Sequence, residues 1–185
     1  MTFKSSDDGG RAGREGVAGI VDLFDALTRS ELRRALSELA FKRGMEIDDE
    51  AIRETINRSI REYALVSVGD ETDESDADAA DDGDLLLVGP TAFPVLPPNA
   101  EDLPYILDVP DREIDRDRAG KHVRRRLTEE VEAAIEDDES ARLAILLEVT
   151  YDLESWAPVE IDDLRDRIEE AIDDAEADDD ADTDD

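Results

Sequence analysis

The chain contains no cysteine, which excludes a disulfide framework, a thiolate metal site and a thiol nucleophile. Lysine is nearly absent too: of 21 basic residues only Lys4, Lys42 and Lys121 are lysines. There is one histidine, His122, and a zinc or acid–base site built on it would have no second imidazole beside it. No apolar run approaches the ~18 residues of a membrane span. The opening MTFKSSDDGGRAGREG carries no apolar signal core. No GxSxG, phosphate-loop or dinucleotide fingerprint occurs. These absences lead us to expect a cytoplasmic protein that is not an enzyme, has no cofactor or metal, and has no membrane partner.

Acid is what the chain has in excess. Fifty-four Asp and Glu against 21 Lys and Arg give a net charge of −33 and a sequence pI near 4.1. Two like charges about 7 Å apart repel by roughly 0.6 kcal/mol in water. Molar salt, with a Debye length of about 3 Å, removes most of that cost. An Asp-rich, Lys-poor surface therefore points to a salt-loaded, halophilic cytoplasm.

Periodicity organises the rest into a mainly α chain with a small β-hairpin, an α+β fold. Residues 1–16 read as a disordered N-terminus and 173–185 as a disordered acidic tail. Between them, Val17, Ile20, Val21 and Phe24 recur at helical spacing. Thr28 and Glu31 form a capping box, with Leu27 and Leu32 placed as a hydrophobic staple and Gly44 as the stop. Asp48 caps a third helix with stripe Ile52, Ile56, Ile60 and Tyr63. The runs 64–68 and 85–88 flank an acidic loop, 69–84, and read as a hairpin. Helix, helix, helix, hairpin is a winged-helix-like order, assigned to 17–98.

Residues 99–172 are expected to hold a proline-rich strap and C-terminal helices on the same core. Six of seven prolines lie between Pro90 and Pro110, which argues against regular helix or central strand there. The uncharged GPTAFPVLPP of 89–98 reads as a strap that buries Phe93, Val95 and Leu96, with a partner-binding segment as the alternative. A helix follows over 115–137 on Ala119, Val123, Leu127 and Val131, another starts at Ser140, YDLESWAP gives a turn holding Trp156, and Asp162 caps the last.

Two constellations could carry function. Arg53, Asn57 and Arg61 step by four along the third helix, and their types suit reading guanine and adenine edges in DNA. Residues 1–63 hold 11 basic and 13 acidic residues, net −2, whereas the other 122 hold 10 and 41, net −31. Against DNA stand Glu50, Glu54 and Glu62 on the same helix, and the bland alternative pairs Arg53 with Glu50 or Glu54. The second constellation is Arg118, Lys121 and Arg125 on one helical face, an anion or acidic-partner site or, more blandly, internal neutralisation. The carboxylates of the 70–84 loop fail calcium-loop spacing: Gly83 at the sixth position puts Ala80 at the third and Gly89 at the twelfth.

The blocks LTRSELRRALSELAFKRG, GPTAFPVLP with AEDLPYILDV, and YDLESWAPVEIDDLRDRIEEAI resemble a family of small acidic haloarchaeal proteins of unknown function. The resemblance covers most of 17–172 and implies a haloarchaeal source and no assigned activity. The expectation is a non-enzymatic adaptor or regulatory module whose partner is a protein. The alternative is a winged-helix DNA-binding transcriptional regulator.

Overall fold

The computed structural model describes residues 6–44, 48–69 and 84–182. They fall into two compact units that meet in sequence at Ile114 and Asp115. The fold is mainly helical with a small antiparallel sheet, hence α+β.

The N-terminal unit runs α1 (Ser6–Asp22), β1 (Leu27–Thr28), α2 (Arg29–Lys42), α3 (Asp49–Arg61), β2 (Leu65–Val68), β3 (Leu85–Val88) and α4 (Leu103–Ile106). Strand β3 lies between β1 and β2, antiparallel to both. The hairpin is therefore part of a three-stranded sheet, and β1, two residues long, is too short to show in the periodicity. Thr28 does cap α2: its hydroxyl accepts from the Glu31 N–H, and its own N–H donates to the Glu31 carboxylate. Leu27 and Leu32 on either side of that cap are fully buried, as a staple requires. Gly44 ends the segment at φ +66°, a conformation that costs a glycine little. Asp48 caps α3 by accepting from the Glu50 N–H.

The core gathers Ile20, Val21, Leu32, Leu39, Ile52, Ile56, Leu65 and Leu86 with Ala100, Leu103 and Leu107 from the segment after the hairpin. Phe24, part of the apolar stripe expected inside, is only partly buried against it, as is Leu36.

The segments flanking this core depart from expectation. Residues 6–16 belong to α1 rather than to a disordered arm. The helix gains tertiary support there from the 93–98 segment, which lies along it at Gly16 and Gly19. Residues 103–106 form one helical turn despite Pro104, because a proline at the first turn removes an N–H that would have no helical partner. Most consequentially, Phe93, Val95 and Leu96 are not core: they are 66, 54 and 43% exposed. The strap is anchored instead by its small and later residues, Ala100, Leu103 and Leu107. Of the expected acidic loop, residues 70–83 lie outside the described residues, as do residues 1–5 and 183–185.

The C-terminal unit is α5 (Arg116–Glu136), α6 (Ser140–Trp156) and α7 (Asp162–Asp182). Asp115 caps α5 by accepting from the Arg118 N–H. The stripe Ala119, Val123, Leu127 and Val131 is buried against Leu143, Leu146, Val149 and Leu153 of the unit's core, with Leu164 and Ile168 from α7. Helix α6 continues through the expected turn, so Trp156 is its last residue, with Arg116 stacked 4.8 Å from the ring centroid. Beyond Ile168, Ala171, Ala175 and Ala177 extend α7 into the stretch read as tail, consistent with alanine's high helix propensity. Among the described residues no helix is long and apolar enough to cross a membrane.

Candidate functional site

Helix α3 presents Arg53 and Arg61 to solvent, but each meets a carboxylate of its own helix: Arg53 reaches Glu50 at 3.4 Å and Arg61 reaches Glu54 at 2.9 Å. Asn57 is partly buried, and its Oδ1 accepts a 2.9 Å hydrogen bond from Arg29 Nη1 on α2. An adenine edge needs both the oxygen and the amide nitrogen of an asparagine; here the oxygen is engaged across the α2–α3 contact. The three residues do share a helix, as their spacing requires, and each is held by an internal partner.

The face of α5 is similar. Lys121 donates to Asp117 at 2.6 Å, and that contact holds the fully exposed ammonium's pKa above its ordinary value. Arg125 Nη2 lies 3.2 Å from His122 Nδ1, and the backbone N–H of Arg118 is taken by the Asp115 cap. Two other arginines of α5 also meet carboxylates: Arg124 binds both oxygens of Asp163, and Arg126 shares Glu130 with Arg142 of α6. Among the described residues no group of three His, Asp or Glu is placed to hold a metal ion.

A concave feature of the N-terminal unit lies elsewhere. A cavity of about 350 Å³ opens between α1, α2 and the strap, lined by Gly13, Glu15, Gly16, Val17, Ile20, Leu36, Leu39, Ala40, Arg43 and Val95–Pro98. Its geometry follows from two glycines one helical turn apart. The 95–96 peptide lies directly on Gly19, where a Cβ would collide with the Val95 carbonyl, and Pro97 lies 3.4 Å from the place of a Cβ on Gly16. The Val95 N–H donates to the Glu15 carbonyl at 3.0 Å. At the α2 end, Arg43 Nη2 donates to the Pro98 carbonyl at 2.8 Å, and Lys42 pairs with Asp102 at 3.3 Å. These contacts hold the strap as one wall. Phe41, Phe93, Tyr105 and Ile106 add exposed apolar surface on the same unit, with Tyr105 91% exposed.

Sequence reasoning missed this cavity because it assigned Val95 and Leu96 to the interior. The signal was there in part: an uncharged proline-rich run, and Gly16 and Gly19 at helical spacing in the segment that received it.

The model of a family of unknown function, DUF7109, matches residues 15–173. The chain belongs to that family. The match begins at Glu15 on the cavity wall and takes in all the lining residues except Gly13. No curated protein and no solved structure matches the chain.

Proposed function

We propose that the chain is a non-enzymatic binding module, an adaptor or regulator in a salt-loaded cytoplasm, and that it holds another protein at the cavity beside the strap. One observation carries this reading. In a chain where 54 of 185 residues are acidic, the 13 residues lining the cavity include one acid, Glu15. Solvated acid protects a surface in salt, and a surface kept free of it, concave and lined mostly by apolar side chains, has the composition of an interface core. A photo-crosslinking residue at Leu96 is expected to give discrete protein adducts in cells, whereas the same residue at Arg53 is not. DNA adducts from Arg53 with none from Leu96 would contradict the reading.

A second reading, a winged-helix DNA-binding regulator, draws support from the element order α1–β1–α2–α3–β2–β3 with β3 central. In that arrangement α3 would enter the major groove, and Arg53, Asn57 and Arg61 would read bases. The carboxylates Glu50 and Glu54 on those arginines weigh against it, and fold order alone does not carry function.

The haloarchaeal resemblance and the Asp-rich, Lys-poor composition support the salt reading. It predicts a Tm that rises by on the order of 10 °C between 0.1 and 2 M KCl, as screening relieves the repulsion among the acids. A flat or falling Tm, followed by circular dichroism, would remove it.

A further inference from the structure

We propose that the occupant of the cavity is an amphipathic helix of the partner protein, with apolar side chains entering between α1, α2 and the strap and an acidic residue meeting Arg43. This rests on the reading of the cavity as a protein-binding site. An extended peptide binds chiefly by adding backbone hydrogen bonds to an open edge, and this cavity has little edge to offer. Pro94, Pro97 and Pro98 have no N–H. The Val95 N–H is spent on Glu15, and the 95–96 peptide is pressed flat on Gly19. The other two walls are helices, whose backbone groups bond within themselves. Recognition is left to side chains entering an apolar space, which one stripe of a helix supplies at i, i+3, i+4 and i+7. Among the described residues Arg43 is the one cation in the wall. A guanidinium has five N–H donors, and the Pro98 bond uses one, so a carboxylate beside the apolar stripe is the complementary group.

The probe is a random peptide library displayed on phage and selected on the full chain in molar KCl. Enriched peptides are expected to carry apolar residues at helical spacing with an acid beside them. They are expected to bind Leu96→Asp and Val95→Asp, two exposed positions whose change spares the core, at least 10-fold more weakly. Arg43→Gln is expected to erase the preference for the acid and keep the apolar spacing. Cavity-dependent peptides with alternating or proline-rich patterns would overturn the helix and leave the protein-binding reading intact. No enrichment, or peptides that bind both Asp variants as well as the parent, would overturn both.

Discussion

Gly19→Ala is expected to destabilise the N-terminal unit by about 2–3 kcal/mol and to lift the strap from α1. The added methyl has nowhere to go. It would overlap the carbonyl of Val95, and a backbone wall cannot rotate aside as a flexible side chain can. Gly13→Ala is the control. Its added Cβ meets nothing within 4 Å, so helix propensity decides the sign, and it is expected to stabilise by about 0.5–1 kcal/mol. The same substitution six residues apart should thus have opposite effects. Trp156 belongs to the C-terminal unit, so its fluorescence is the wrong probe. Hydrogen exchange at the Leu86 and Leu87 amides of β3 and at Val95 reports the right unit, and equal protection in both variants would contradict the account.

The other large effect is expected from Arg112, where the strap's far end returns to the start of α2. Its two terminal nitrogens fork onto the two oxygens of Glu31 at 2.8 Å each, and Nη1 also donates to the Ala26 carbonyl at 3.1 Å. Both side chains are mostly buried, 16 and 22% exposed. Glu31 serves twice, as the third residue of the capping box and as the acceptor of this fork. The Arg112 fork is the main reason its carboxyl is held below the ordinary Glu value, and the Thr28 N–H adds to it against the opposing effect of burial.

Arg112→Ala removes all three bonds and is expected to cost about 2 kcal/mol at neutral pH. The pH dependence has a definite sign. A carboxyl depressed in the folded chain contributes stability above its unfolded pKa, near 4.5, and loses it as pH falls through the folded value. Parent and Arg112→Ala stability should therefore differ most near neutrality and converge on acidification below that range. A difference that stays constant with pH would assign the loss to packing of the arginine stem.

The parts of the fold that were legible in the sequence are those set by local chemistry. Thr28 with Glu31, Asp48, Gly44 and Asp115 mark helix ends because their side chains or φ values satisfy backbone groups nearby in sequence. The stripe Ala119, Val123, Leu127 and Val131 needed only a period of four. What was not legible depended on contacts distant in sequence. Strand β1 exists because Leu27 and Thr28 pair with Leu86 and Leu85. The strap stays at the surface because the glycines of α1 hold its backbone rather than its side chains, which leaves Val95 and Leu96 exposed. Hydrophobicity alone assigned those two residues inward. Tyr63 shows the same competition: its φ of +59° is a glycine-like conformation, yet the residue there is a tyrosine whose ring is buried.

The α3 face was legible as residue types but not as contacts. Arg53, Asn57 and Arg61 have the right spacing for base readout, and the partners Glu50, Arg29 and Glu54 emerge only from the packed helices. Internal pairing of this kind is what a very acidic chain does with its few cations, and it leaves the acid-poor cavity as a surface that such pairing does not explain.

Affinity purification of the tagged protein from its own cells in molar KCl tests that claim most directly, comparing the parent, Leu96→Asp and an Arg53→Ala/Arg61→Ala double variant. The account predicts a protein that co-purifies with the parent and the double variant, resists nuclease and is lost with Leu96→Asp. Nuclease-sensitive material lost only in the double variant would contradict it and move the working surface to α3.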